Sequence, residues 1–162
     1  MSLMTITIRD AQQSDQPAIA SLFPRLAAFD IPHDRLPEQL YQGDLEHLAE
    51  WLSGEEFGCS VLVAESAEEI AGVVVIRLRE EMLSGAPSAH VEVLAVDEKF
   101  IRQGLGKRLM QCAEDRVLSQ GAESVTLHVF AVNHTARALY ESLGYSGELL
   151  RYRKLFETGT SQ

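Results

Sequence analysis

The longest purely apolar stretch of the chain is Ile70-Ala71-Gly72-Val73-Val74-Val75-Ile76. Seven residues fall far short of the roughly 20 that a membrane-crossing helix needs, and the β-branched, apolar run reads as a strand. The 162 residues are enough for one domain that buries its own core. Two cysteines and five prolines fit neither a disulfide scaffold nor a collagen-like or disordered chain.

The segments on either side read as further strands and helices. Thr5-Ile6-Thr7-Ile8-Arg9 alternates as a half-buried strand, and Ser14-Asp15-Gln16-Pro17 provides the cap and first turn of a helix with the stripe Ile19, Leu22, Phe23 and Leu26. After a loop from Pro32 to Pro37, Tyr41, Leu45, Leu48 and Leu52 mark a second amphipathic helix that ends near Gly54. Residues 60–65, 70–79 and 89–96 form consecutive antiparallel strands. Leu105, Leu109, Cys112, Ala113 and Val117 restore the helical period up to Gly121, residues 125–130 form a strand, 133–143 a helix closed by Gly144, and 147–156 a last strand.

The expected fold is α/β: one domain over residues 4–157, with a mixed, mostly antiparallel central sheet flanked by helices in the order β-α-α-β-β-β-α-β-α-β. Met1-Ser2-Leu3, ahead of a second methionine, is left out of that expectation. The strand 89–96, the helix after it and the strand 125–130 make a right-handed parallel βαβ unit. Ligands of open α/β sheets sit beyond the carboxyl ends of such strands, which directs attention to residues 96–106.

Charge narrows the ligand. With 14 basic and 24 acidic residues the chain carries −10, which argues against general nucleic-acid binding and requires a local basic exception for any anion. Lys99, Arg102, Lys107 and Arg108 are such an exception, set around Gly104 and Gly106, where the chain turns into a helix and bare amides can approach an anion. The segment also reads as an ordinary tight strand-to-helix turn. It matches neither the nucleotide-hydrolase loop nor the dinucleotide fingerprint, since Arg108 stands where Ser or Thr is needed and Leu109 where the third glycine is needed. Cys59 and Cys112 have no metal or redox spacing, and no His/Asp/Glu grouping has metal-site spacing. An unpatterned pair of cysteines without a secretory leader fits a reducing, cytoplasmic compartment.

The other dense segment is Asn133-His134-Thr135-Ala136-Arg137-Ala138-Leu139-Tyr140-Glu141-Ser142-Leu143-Gly144-Tyr145. Asn133 is a good N-cap, and Tyr140, two turns on, shares its face. Together with Val91-Glu92-Val93-Leu94-Ala95-Val96 and Arg102-Gln103-Gly104-Leu105-Gly106, this segment resembles the GCN5-related N-acetyltransferase (GNAT) superfamily, with its acyl-CoA N-acyltransferase-like fold. The element order of that family covers nearly the whole chain, and the motifs span about residues 89–145. The family signature Gln/Arg-x-x-Gly-x-Gly/Ala is departed from at its first position, where Ile101 stands with Arg102 next to it.

The resemblance implies direct transfer of an acetyl group from acetyl-CoA to a primary amine, more simply of a small molecule, with a protein or peptide acceptor or a non-catalytic acyl-CoA-binding module as alternatives. It implies that Leu94, Ala95, Val96, Arg102, Gln103, Gly104, Leu105, Gly106 and Lys107 line the coenzyme, that Asn133 bonds its arm, and that Tyr140 is the general acid toward the leaving thiolate. Full proton transfer from an ordinary Tyr (pKa about 10) to a thiolate (about 8.5) is uphill by roughly 2 kcal/mol, so a strong hydrogen bond is the effective form of help. By the period-two rule Glu92 shares a face with His90, Leu94 and Val96, which makes Glu92 a candidate base and His90 its rival. A core role for Tyr140 and a solvated role for Glu92 stay open at this point. His33, His47, His128 and His134 read as surface or strand residues. The acceptor is expected between residues 16–54 and the 80–88 loop. The implied partners are acetyl-CoA and an amine, without nucleic acid, membrane or metal, and a homodimer is left open.

Overall fold

A computed structural model describes residues 5–157; Met4, the first residue of the expected domain, lies outside the described residues. Five strands, β1 (Ile6–Asp10), β2 (Cys59–Ser66), β3 (Glu69–Glu80), β4 (Pro87–Val96) and β5 (Val125–Leu127), form one sheet in sequence order. All neighbours are antiparallel except β4 and β5, which are parallel as the crossover between them requires. The apolar run occupies the middle strand, β3, and Val73, Val74, Val75 and Ile76 have no solvent exposure.

Two layers cover that strand. Helix α3 (Leu105–Ser119) lays Leu105, Leu109, Met110, Ala113 and Val117 against one face, where Val74 and Ile76 point. Helices α1 (Gln16–Ala20) and α2 (Gln42–Leu52) bring Ile19, Leu48 and Trp51 to the other, against Val73 and Val75. Complete burial of a side chain such as Leu109 contributes about 1.5–3 kcal/mol, so the two cores fix α3 and α2 to opposite faces of β4.

Three elements differ from expectation. The first helix does not run on to Leu26: α1 stops at Ala20 and a 3-10 turn, Phe23–Ala27, takes over with Pro24 in its first turn. Proline has no N–H to continue an α-helical ladder and fits only a first turn, so the apolar stripe is split over two short pieces. β5 ends at Leu127 rather than at residue 130, because its partner β4 turns away there. Residues 147–156 form no strand. Alternation supplies the face of a strand but not a hydrogen-bonding neighbour, and none of the described strands adjoins this segment.

Gly72 shows how closely α3 sits behind the end of β4. It pairs with Val96, and a Cβ placed on it would lie 2.9 Å from Leu109 Cδ1 and 3.2 Å from the Ala95 carbonyl oxygen. Leu109 could yield but the backbone oxygen could not. Gly72→Val should therefore lower stability by about 1–3 kcal/mol in urea unfolding, and an unchanged midpoint would contradict this packing.

Candidate active site

The ladder between β4 and β5 runs from Ala89 to Val91 against Val125 to Leu127, preceded by bonds from the Ala89 and Glu123 N–H groups to the Ser124 and Pro87 carbonyls, and it does not continue past Val91. The break follows from one extra residue in β4: Val91 faces Ile76 and Val93 faces the adjacent Val75, leaving Glu92 as a bulge. Bulges bend a strand and re-aim its side chains, and this one reverses the alternation. Ala89 and Val91 belong to the α3-side core, whereas Val93 and Ala95 belong to the α1–α2 side and Leu94 and Val96 pack toward α3. The expected common face of Glu92, Leu94 and Val96 is therefore corrected. Glu92 lies on the α2 side, as its partner Arg77 and neighbour Asp44 show, and Leu94 and Val96 lie on the other.

Beyond the bulge the two parallel strands part and leave a wedge. The Asp97 N–H bonds the Ala71 carbonyl, so by antiparallel alternation the backbone groups of Leu94 and Val96 turn away from β3, toward the wedge. The Val96 carbonyl accepts Arg25 Nε at 3.1 Å. On the α3 side a Cβ at Gly106 would lie 3.3 Å from Leu139 Cδ2, 3.9 Å from Leu94 Cδ2 and 4.0 Å from Val96 Cγ2. Residues far apart in sequence, from β4, α3 and α4 (His134–Ser142), thus meet around a glycine where any side chain would crowd them.

The loop leading into α3 is held from both ends. Asp97 accepts a hydrogen bond from the Lys99 N–H at 2.9 Å, Phe100 is buried, and Arg102 (φ +64°) and Gly104 (φ +73°) take left-handed backbone. No side chain caps α3, so its first amides, at Leu105, Gly106 and Lys107, are open donors at the positive end of a 15-residue helix. Of the four clustered cations, Lys99 is paired with Glu69 and Arg108 donates to the Ile6 carbonyl at 3.1 Å. Among the described residues Arg102 and Lys107 have no anionic partner. Uncapped amides, two free cations and a glycine lining fit a diphosphate and the arm behind it.

Asn133 caps α4 as expected: its Oδ1 accepts the Ala136 N–H at 3.2 Å, which leaves the amide NH2 available. Tyr140 is half-buried against the α3-side core, and desolvation pushes its hydroxyl up to about 12. Its ring meets Tyr145 edge-on at 5.9 Å, and the Tyr145 hydroxyl donates to Glu114 Oε2 at 2.5 Å, which fixes the pair.

Across the sheet, Glu92 Oε1 accepts Arg77 Nη1 at 3.2 Å, while Arg77 Nε and Nη2 bind Glu56 Oε1 at 3.0 and 2.5 Å. Asp44, in the first turn of α2, is pushed up to about 6 by burial and then by the charge of Glu92. Sequence reasoning missed Arg77, Glu56 and Asp44. Only the register of β3 against β4 reveals the first two, and Asp44 was visible merely as an acid in a helix expected to shape the acceptor. His90 is buried, with Nδ1 2.7 Å from Thr126 Oγ1, and burial holds its ring below the ordinary imidazole value. Burial also pushes the Cys59 thiol up to about 11, which disfavours it as a nucleophile.

A cavity of 350 Å³ lies between the α1–α2 loop and the start of α4, lined by Asp30, Ile31, Pro32, His33, Val132 and His134. Another, of 450 Å³, lies over the β2–β3 turn among Asp15, Glu65, Glu69 and Asp97, and its acids suit no phosphate. Among the described residues no group of three or more His, Cys, Asp or Glu could hold a metal ion, and no helix is long and apolar enough to cross a membrane.

The site is thus a mixed α/β sheet that splays beside an uncapped, glycine-lined helix start. The chain belongs to the Acetyltransferase (GNAT) family, whose profile matches residues 25–145. Over 66 residues it is 42% identical to an uncharacterised N-acetyltransferase of Bacillus subtilis, covering 41% of this chain and 42% of that one. Over 58 residues it is 41% identical to the [ribosomal protein bS18]-alanine N-acetyltransferase of Escherichia coli K12, covering 36% of this chain and 39% of that one. The chain thus spans about two fifths of the length of these relatives. Among solved structures it is similar to an aminoglycoside acetyltransferase from an uncultured soil metagenomic sample (TM-score 0.67, 24% identity, 94% of this chain and 97% of that one). It is also similar to a ribosomal-protein-alanine N-acetyltransferase from Brucella melitensis biovar Abortus 2308 (TM-score 0.68, 18% identity, 94% and 99%). At these identities the structural likeness bears on the fold.

Asp44 gives a stability test with a definite sign. An acid whose folded-state value is raised to about 6 from 3.8 favours folding only while protonated; that contribution is full below about pH 4 and is lost as pH rises through 6. Asp44→Asn should then be more stable than the parent by about 1 kcal/mol at pH 8, after allowance for solvent screening, with no gain at pH 4. Equal urea midpoints at pH 8 would show that Asp44 is not so confined.

Proposed function

We propose that the protein is an N-acetyltransferase that moves the acetyl group of acetyl-CoA directly to a primary amine of a small molecule. The observation that carries this reading is the wedge between β4 and β5, with a cation-flanked, uncapped helix start at its mouth and a half-buried phenol at its side. When bound, acetyl-CoA supplies a thioester carbonyl as the electrophile. Leu105, Gly106 and Lys107 amides, with Arg102, Gln103, Gly104 and Lys107, would hold its diphosphate; Leu94 and Val96 would bond its arm, while Ala95, paired with Val73 of β3, is turned away from it, and the Leu94 N–H would face the acyl oxygen. The Asn133 NH2 group would take a further bond on the arm.

Transfer requires that the amine lose a proton and the sulfur gain help as the C–S bond breaks. Glu92, on the α2 side with Asp44, would receive the proton from the ammonium directly or through water, while Arg77 orients its carboxylate. Tyr140 at about 12 stands roughly 3.5 pH units above a thiol of about 8.5, so outright proton transfer would cost close to 5 kcal/mol. Tyr140 therefore acts as a fixed hydrogen-bond donor to the sulfur, fully protonated at neutral pH. The carboxylates Asp44 and Glu92 favour a cationic acceptor. A peptide N-terminus is the second reading, favoured by the ribosomal-protein relative.

Release of free thiol from acetyl-CoA with a panel of amines, compared with mass spectrometry of treated N-terminal peptides, separates the two; silence in both assays would leave only a binding module. Tyr140→Phe should lower kcat about 10–100-fold with calorimetric affinity for acetyl-CoA nearly unchanged, and a parental rate would remove Tyr140 from the chemistry. Lys107→Glu places an acid in the first turn of α3, which the helix dipole tolerates, but opposes a diphosphate. Its melting temperature should hold while acetyl-CoA affinity falls at least about tenfold. Unaltered affinity would put the diphosphate elsewhere.

A further inference from the structure

One guanidinium of this acidic chain is left without a counter-charge. Among the described residues Arg9, Arg25, Arg35, Arg77 and Arg116 are the half-buried arginines. Arg9 pairs with Asp15 and Glu65, Arg77 with Glu56 and Glu92, and Arg116 with Asp10, while Arg35 lies in the field of Asp34. Arg25 has no carboxylate partner among the described residues, and its guanidinium bonds the Val96 carbonyl through Nε at 3.1 Å. That bond uses one of the five N–H donors of the group and leaves both Nη groups open.

Arg25 is fixed in place. Its 3-10 turn, Phe23–Ala27, is rooted by Leu22 and by the fully buried Phe23, and its Nε is tied to the last residue of β4. A guanidinium held half out of water gains most from an anion that meets its planar fork. The coenzyme's diphosphate is a poor candidate for that anion, because Arg102, Lys107 and the open amides lie toward α3. Leu22, Phe23 and Leu26 pack instead in the core shared with Val93 and Ala95, on the side to which Glu92 turns.

Glu92 and Val96 are four residues apart on β4, about 13 Å of strand, with Leu94 midway between them. An amine brought to an acyl group at Leu94 therefore has Glu92 and Asp44 toward one end of the segment and Arg25 toward the other. Opposite poles at the two ends suit a zwitterion.

We propose that Arg25 selects the acceptor, its open fork binding a carboxylate on the same molecule that carries the amine, so that the acceptor is a free amino acid or a similar amino carboxylate. This rests on the transferase reading above. The C–N bond forms as the C–S bond breaks, the ammonium gives its proton to Glu92 and the thiolate takes one from solvent. The products are the N-acetyl amino acid and the free thiol. A peptide N-terminus has an amide where the fork requires a carboxylate.

Thiol release from acetyl-CoA, measured with the protein amino acids, their amides and the corresponding decarboxylated amines, tests the selection. The best amino acid should exceed its own amide and amine at least about tenfold in kcat/KM, chiefly through KM. In Arg25→Gln that ratio should fall to about one, while the urea midpoint and the calorimetric affinity for acetyl-CoA hold. Amides or amines turned over as well as the amino acid overturn the proposal and leave the transferase reading standing. Silence with every amine ends both. A carboxylate preference that survives Arg25→Gln overturns the proposal, and so does a loss of acetyl-CoA affinity in that variant, which would give Arg25 to the diphosphate.

Discussion

The extra residue in β4 is the constraint on which the rest depends. Without Glu92 as a bulge, β4 and β5 would stay paired along their length, and the backbone groups of Leu94 and Val96 would be spent on a neighbouring strand. The bulge ends that pairing after Val91. It also turns Glu92 to the α2 face while Leu94 and Val96 keep to the α3 face. One local irregularity thus separates, across the same strand, the side we propose for the coenzyme from the side we propose for the acceptor.

The two sides then differ in electrostatic character. Toward α3, open helix amides, Arg102 and Lys107 provide positive potential in an acidic chain, and Tyr140 is a half-buried neutral donor. Toward α2, Glu56 and Glu92 share Arg77, and Asp44, close to Glu92, is pushed up to about 6 by burial and by that charge. An anionic donor on one face and a cationic acceptor on the other would meet at the strand between them. That arrangement agrees with the chemistry of the family to which the chain belongs.

Much of this was legible in the residues. The run at 70–76 placed the middle strand, the spacing of Leu105, Leu109, Ala113 and Val117 placed α3, and Asn133 marked the start of α4. Gly106 stood out as a glycine, but only the fold shows that its missing side chain makes room for Leu94, Val96 and Leu139. What escaped were properties set by neighbours rather than by pattern. Period-two reasoning assumed an unbroken strand, so it put Glu92 on the wrong face. Pro24 ended a helix that the stripe alone extended. Arg77 and Glu56 are coupled to Glu92 through strand register and a loop, which no spacing in the sequence encodes. The segment 147–156 has the alternation of a strand, yet pairing is a relation between two segments and cannot be read from one.

The account stands on the Leu94 amide and the first amides of α3 being unpaired in the free protein and engaged by the coenzyme. Backbone 15N chemical shifts and amide exchange rates, recorded while acetyl-CoA is titrated in, address this most directly. The largest shifts and new protection are predicted at Leu94, Gly104, Gly106 and Lys107, with β1 and β2 nearly unmoved. Protection confined to the acidic cavity by the β2–β3 turn, or saturation without any change at Leu94 and α3, would contradict it.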